Sequence, residues 1–416
     1  MTMYNHMKVY VAIYFLFLTI FSNAQGNQLD YYINAAKENS PLLKDYQYQI
    51  EQTTYDSLLI KAALKPQIAG NSFNNYAPVI KGWGYDNAIT NGANFITVVG
   101  VNKLLPNKKN LTSQFESLQL QKQSISNNSK ITEQDLKKTI TAQYITVYGD
   151  QLQIFFNEEI ANLLTKEEKI LKKLTEKNVY RQADYLAFLV TLQQENLLIK
   201  QLSLQFKNDY ATLNYLCGIT DTAASYLPEP AISIRPLPEL SSSIFLKQFE
   251  IDSLRYINQR SLIDIPYRPR FNLFADAGYT SSLAYKAYKN FGTSFGISAV
   301  VPIYDGRQRK LQYKKNDLAE NSRQQYRDFF ITQYGQQIAQ LKQQLSATEA
   351  LLQDINVQLK YTQSLIEVNE KLLETGEVRI ADYLLALNNY LNTKNLITQN
   401  NVNRLQLINL INYWSR

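Results

Sequence analysis

Proline is absent from Asn107 to Leu227 and again from Ile303 to Arg416, and this constrains the chain more than any other feature. Proline lacks a backbone donor and clashes with the preceding turn, so it ends or kinks helices. Two proline-free stretches of this length leave room for helices far longer than the usual three or four turns. Only Gly149 and Gly218 interrupt the first, and Gly306, Gly335 and Gly376 the second. The filling is Leu, Gln, Lys, Glu, Asn and Ile, residues that mostly tolerate helix. Ile160, Leu163, Ile170 and Leu174 recur at three- and four-residue spacings, as do Leu352, Ile355, Leu359 and Ile366. That is coiled-coil periodicity. Roughly 70 residues at 1.5 Å each give a rod of about 100 Å.

Just before each helical stretch lies a segment bounded by proline, residues 66–106 and 269–302, rich in Gly, Asn, Tyr and β-branched residues. Phe271, Leu273, Ala275, Ala277 and Tyr279 alternate with Asn272, Phe274, Asp276 and Gly278; Phe295, Ile297, Ala299 and Val301 alternate with Ser294, Gly296 and Ser298. A period of two with one apolar face predicts strands. Each run approaches the 9–11 residues or so that a tilted membrane strand needs. The first segment gives a second, less regular pair, Gln67 to Tyr76 and Phe95 to Val101. Asp276 falls on the face opposite the apolar one and is expected to look into a lumen. Trp83, Tyr85 and Tyr76 are candidates for a lipid interface.

The chain is duplicated. Lys173-Leu174-Thr175-Glu176 and Arg181-Gln182-Ala183-Asp184-Tyr185-Leu186 match Lys371-Leu372-Leu373-Glu374 and Arg379-Ile380-Ala381-Asp382-Tyr383-Leu384 at a constant offset of 198 residues. A repeat this long sets the architecture. It predicts a first structural repeat over 25–216 (a helix over about 29–64, strand pair 66–106, helical hairpin 107–216). A proline-bearing linker, 217–240, is expected to pack against the middle of the rod. A second repeat follows over 241–416 (helix, strand pair 269–302, helical hairpin 303–416). Four open strands cannot sit in a bilayer, because edge N–H and C=O groups would face hydrocarbon. Several copies must pool their strands; three would give twelve, enough for a barrel with a lumen.

The N-terminus and the rare residues narrow the function. Lys8 precedes the apolar run Val9 to Leu18, and Ser22-Asn23-Ala24 is a small-x-small cleavage pattern before Gln25. Residues 1–24 are therefore expected to be an export signal. No later apolar stretch is long enough for a membrane-spanning helix. The single histidine is His6, inside that signal, and the single cysteine is Cys217. No Ser-His-Asp or Cys-His arrangement, His/Cys zinc site or internal disulfide can be built from them. No enzyme, metal or cofactor is expected. The charge of +7 comes from scattered residues and points to no nucleic-acid partner.

Several short motifs, in this duplicated order, resemble the TolC family of outer-membrane efflux channels over nearly all of the chain after residue 24. Asn39-Ser40-Pro41 resembles the family's early helix motif. Val301-Pro302-Ile303-Tyr304-Asp305-Gly306 is similar to its strand-to-helix junction, with Pro302 and Gly306 at the bend. Thr375 to Ala386 resembles its periplasmic tip turn. The resemblance implies a mainly α protein with a membrane β-barrel: a homotrimeric, twelve-stranded barrel in outer-membrane lipid on a periplasmic α-helical barrel. It also implies a periplasmic adaptor and an inner-membrane pump as partners, passive export of small molecules or polypeptides, and no enzymatic activity.

At the tips, Gly376 suits the left-handed residue that ends a helix, and Asn178 is the next-best choice there. Asp184 and Asp382 fall in the first turns of the returning helices, where the helix dipole favours a carboxylate. In a trimer, three Asp382 side chains would make an acidic ring at the mouth. The family often carries a second acid three residues on; this chain has Leu385. Arg181 and Arg379 stand where a Ser or Thr cap is expected and are candidates to pair with the following Asp. Asn178, Val179, Gly376, Glu377 and Val378 form the turns expected to meet the adaptor. The competing reading is a soluble periplasmic coiled-coil adaptor or structural protein.

Overall fold

The computed structural model describes residues 28–86, 92–221, 223–284 and 286–415. The expected export signal, with His6, lies outside them. The chain runs α1 (Gln28–Asn39), α2 (Pro41–Ala63), β1 (Gln67–Tyr76), β2 (Ala93–Leu104), α3 (Lys108–Glu176) and α4 (Gln182–Cys217). It then repeats the order with α5 (Ile244–Asp264), β3 (Arg270–Ser281), β4 (Phe291–Val300), α6 (Gln308–Thr375) and α7 (Ile380–Tyr413). The two proline-free stretches thus hold helices of 69 and 68 residues. None of the described helices is long and apolar enough to cross a membrane.

Several boundaries differ from the sequence reading; β2, for one, runs from Ala93 to Leu104 where alternation gave Phe95 to Val101. The first helix is two: Ser40 separates α1 from α2, its Oγ accepts from the Leu43 N–H at 3.3 Å, and Pro41 takes the first helical position. There a missing N–H costs nothing. The second long helix starts at Gln308 instead of 303. Asp305 accepts from the Arg307 and Arg309 N–H groups at 2.9 and 2.8 Å, capping the helix only after the bend. Gly306 and Arg307 make that bend at φ +65° and +70°. Cys217 closes α4 instead of opening the linker, and Gly218 at φ +67° supplies the left-handed stop.

Contacts divide the chain into two compact units that differ from the two repeats. One contains the chain up to Lys44, Lys130–Ile244 and Phe330 onward; the other contains Asp45–Ser129 and Phe245–Phe329. Each unit draws on both repeats.

In the first unit, Leu29, Tyr32, Ile33 and Ala36 of α1 pack with Ile140, Tyr144, Val147 and Ile154 of α3 and with Leu202, Phe206 and Leu213 of α4. Asn39 Nδ2 donates to the Cys217 carbonyl at 2.9 Å, tying the end of α1 to the end of α4. The 218–240 segment is pinned to the middle of α3. Tyr144 donates to the Pro228 carbonyl at 2.8 Å, and Gln151 exchanges hydrogen bonds with the Leu227 backbone at 3.0 and 2.7 Å. Buried backbone groups outside regular structure need such partners. A second core joins Leu164 and Leu171 of α3 to Phe188 of α4, Ile366 and Leu373 of α6, and Ile380, Tyr383 and Leu387 of α7.

The second unit holds the four described strands in one antiparallel sheet, ordered β1-β2-β3-β4. The duplicated strand pairs meet at β2 and β3, where Val99 faces Ala277 and Val101 faces Ala275. β1 and β4 are the edges.

Gly149, in the middle of α3, permits a close helix crossing: a Cβ there would lie 2.7 Å from Val402 Cγ2 of α7. Gly149→Ala is expected to destabilise the detergent-solubilised protein by about 1–2 kcal/mol through overpacking, although Ala favours helix by about 1 kcal/mol. Adding Val402→Ala should recover most of that loss, a coupling readable in thermal unfolding.

Candidate functional site

Three places carry residues singled out by sequence: the sheet, the bend after β4 with Pro302 and Gly306, and the turns that end α3 and α6.

Side chains directly opposite one another in an antiparallel sheet share a face. One face carries Ile68, Val101, Ala275 and Phe295 in a row, then Val99, Ala277 and Thr293, with Lys103, Leu273 and Ile297 toward the helical end. The other carries Gln67, Asn102, Phe274 and Gly296, then Ala69, Gly100, Asp276 and Ser294. Asp276 is therefore on the more polar face, where Ser294 Oγ donates to it at 2.6 Å. The apolar face is largely uncovered among the described residues. Phe295 is 88%, Ile68 72% and Ile297 69% exposed. Tyr76 shares this face near the hairpin end, and Trp83 and Tyr85 are exposed in the loop beyond it.

The two tip turns have the same backbone. Asn178 and Gly376 adopt φ +61° and +79°. Val179 N–H reaches the Leu174 carbonyl and Asn178 N–H the Thr175 carbonyl, both at 2.9 Å; Glu377 and Gly376 do the same to Leu372 and Leu373 at 2.9 and 3.3 Å. This double bond pattern satisfies the last carbonyls of each long helix. A Cβ on Gly376 would lie 2.6 Å from Val179 Cγ1, so the two turns touch. Tyr180 joins them: its hydroxyl lies 3.0 Å from the Leu373 carbonyl and 2.9 Å from that of Val378, its own equivalent in the repeat.

Side chains at matched positions have diverged. Arg379 clamps Asp382 through Nε–Oδ2 at 2.8 Å and Nη2–Oδ1 at 2.9 Å. This hydrogen-bonded pairing holds the Asp382 carboxyl below the usual carboxylate range. Among the described residues no ion pair joins Arg181 to Asp184, and both are exposed. Tyr383 is fully buried and stacked on Phe188 at 6.3 Å, whereas Tyr185 is half-buried at the edge of the same core and donates to Glu168. Glu377 and Val179 are exposed; Val378 is half-buried against the core.

Glu167 was not singled out by sequence, yet it is only 2% exposed and its Oε2 has no hydrogen-bond partner. Burial pushes its carboxyl up to about 7, with the Glu370 and Glu374 carboxylates of α6 adding to the rise. The Tyr383 hydroxyl is likewise buried without a partner, and its pKa is raised by burial and then by Glu167 and Glu370. The signal was available. The buried seam of α3 reads Ile160, Leu164, Glu167, Leu171, and an acid on a core position marks a site that resists ionisation. Tyr180 gave no comparable signal, because its partners are backbone carbonyls 193 and 198 residues away.

The folded chain keeps a proton on Glu167 up to about pH 7, whereas the unfolded chain loses it near 4.5. The folded state then binds more protons across that window, so this residue's contribution to stability falls as pH rises through it. Glu167→Gln should unfold later than the parent at pH 8, by on the order of 2 kcal/mol. The difference should shrink toward pH 5. A gap that does not change with pH would contradict this account of Glu167.

No family model and no curated sequence matches the chain. Solved structures do. The outer membrane protein VceC from Vibrio cholerae aligns over 93% of this chain and 96% of its own at 12% identity, with a TM-score of 0.75. CusC aligns over 94% and 92% at 14% identity, TM-score 0.76. The MtrE outer membrane channel of Neisseria gonorrhoeae, in its open state, aligns over 94% and 89% at 13% identity, TM-score 0.71. From α1 to α7, this chain has the fold of outer-membrane channel proteins.

Proposed function

We propose that the chain is the outer-membrane channel of a tripartite export system, a passive exit duct for small molecules or polypeptides. The observation that carries this reading is the sheet, with one largely uncovered apolar face and two unpaired edges. An exposed apolar face of this kind is costly in water and favourable in hydrocarbon. Unpaired edge groups are tolerated in hydrocarbon only if the sheet closes. Closure by three copies, each giving four strands to a twelve-stranded barrel, satisfies both demands. A soluble adaptor leaves the apolar face unexplained.

In that assembly Asp276 and Ser294 face the lumen. Pro302 and Gly306 turn the chain from barrel wall into helix. The tip turns, Asn178 and Val179 with Gly376, Glu377 and Val378, meet a periplasmic adaptor that couples the duct to an inner-membrane pump. Asp382, held by Arg379, forms the ring that favours cations at the mouth, and Asp184 with Arg181 contributes unpaired charges beside it. The Arg379 clamp neutralises part of each Asp382 charge, so the ring is weaker than three free carboxylates.

Purified protein is expected to float with phosphatidylcholine vesicles and to migrate as a detergent-stable trimer. Phe295→Asp combined with Ile297→Asp should abolish insertion, since a charge on a lipid-facing strand costs about 2–4 kcal/mol at mid-bilayer. In planar bilayers, Asp382→Ala should lower the preference for cations over anions. Unchanged current and selectivity would remove Asp382 from the mouth.

A further inference from the structure

At the helical end of the sheet, cations without counter-ions sit beside exposed apolar groups. Lys103 is exposed on the apolar face, opposite Leu273 and near the last turns of strand. Past β4 the chain runs through Ile303 and Tyr304, which are 96% and 82% exposed. These two residues help line an open hollow of about 390 Å³, together with Tyr267, Arg307, Lys310 and Tyr313.

The hollow has a built wall. The Arg309 guanidinium lies 5.7 Å from the Tyr267 ring and 5.5 Å from that of Tyr313. Its Nη2 bonds Asp264 Oδ1 at 2.6 Å, and Tyr313 donates to the same carboxylate. The two nearby acids are therefore spoken for: Asp264 by Arg309 and Tyr313, Asp305 by the backbone N–H groups of Arg307 and Arg309. Arg307, Lys310 and Lys103 are exposed and have no ion-pair partner among the described residues. Lys314, one turn on from Lys310, is exposed and equally unpaired.

Resting on the membrane reading above, we infer that this junction is a binding surface for anionic phospholipid headgroups in the leaflet on the helical side of the barrel. Arg307 and Lys310 would hold the phosphate, and Ile303 and Tyr304 the start of the acyl region. A guanidinium matches a phosphate with two parallel hydrogen bonds, and an ammonium adds a point charge. Lys103 completes the arrangement. It lies opposite Leu273 on the apolar face, where a lysine near a membrane boundary can lay its stem on apolar neighbours and keep its ammonium at the headgroup level. Charge complementarity selects the occupant. A zwitterionic lipid would cover Ile303 and Tyr304 but brings a phosphate already balanced by its own cation, whereas an anionic one brings a phosphate that still needs counter-ions. Each cation near an anionic leaflet adds a comparable increment of attraction, weakened by salt.

The test uses the full chain reconstituted in phosphatidylcholine vesicles doped with spin-labelled phosphatidylglycerol or, separately, spin-labelled phosphatidylcholine. The fraction of immobilised label gives the relative affinity. The expected result is a preference of about threefold or more for phosphatidylglycerol at low salt, falling toward unity in 0.5 M NaCl. It should also fall toward unity in the variant Lys103→Gln, Arg307→Gln, Lys310→Gln. Lys310→Glu alone, a milder change on an exposed site, should lower the preference without altering oligomeric state.

Equal immobilisation of the two lipids in the parent, with the protein inserted, overturns the lipid site and leaves the channel reading standing. So does a variant that keeps the headgroup preference but shifts ion selectivity in planar bilayers, which would place these cations in the duct. Failure of the parent to insert into vesicles of either composition overturns the channel reading itself, and this inference with it.

Discussion

A backbone amide or carbonyl that faces hydrocarbon without a partner is among the most expensive things a protein can contain. The sheet of this chain sets that problem. Its inner strands β2 and β3 are paired on both sides, whereas β1 and β4 each present an unpaired edge. Its apolar face, with Phe295, Ile297 and Ile68, is unsuited to water. Either feature alone has ordinary remedies, such as a covering helix or a charged edge. Together, with no described element over the face, they are the ground of the proposal that other copies close the sheet in a membrane.

The architecture was legible because it rests on long-period features. Two proline-free stretches and a 198-residue offset require no knowledge of partners, and the helices occupy those stretches nearly end to end. The alternation in β3 and β4 likewise placed Asp276 opposite the apolar face. What sequence missed depends on groups distant along the chain or on one-residue phase. Leu163 and Ile170 carry the helical spacing in the sequence, whereas the buried seam of α3 runs through Leu164, Glu167 and Leu171. A stripe of adjacent leucines fits either phase until the partner helix is known. The start of α6 was set too early because Gly306 and Asp305 act together, the bend first and the cap after it.

Duplication explains the backbone of the tips better than their chemistry. Asn178 and Gly376 close equivalent helices with equivalent bonds, so the turn geometry survives substitution of its most constrained residue. Equivalent side chains do not share environments: Tyr383 is enclosed where Tyr185 is half-buried and donates to Glu168, and Asp382 is clamped where Asp184 is free of its arginine. Tyr180 donates across to the second turn, where its counterpart is Val378. The two hairpins share a turn geometry but differ in side-chain chemistry, and the proposed mouth chemistry belongs to the second.

The pairing of β1 with β4 between copies is the claim on which the account stands. Within one chain these strands are separated by two others at nearly 5 Å spacing, too far for a disulfide, which needs Cα atoms within about 7 Å. With Cys217→Ser as background, cysteines placed at Ser72 in β1 and Thr293 in β4, with register-shifted pairs as companions, should oxidise in membranes to covalent dimers and trimers and to nothing larger. Chains that remain monomeric under oxidation at every register, or ladders that run past three, would contradict it.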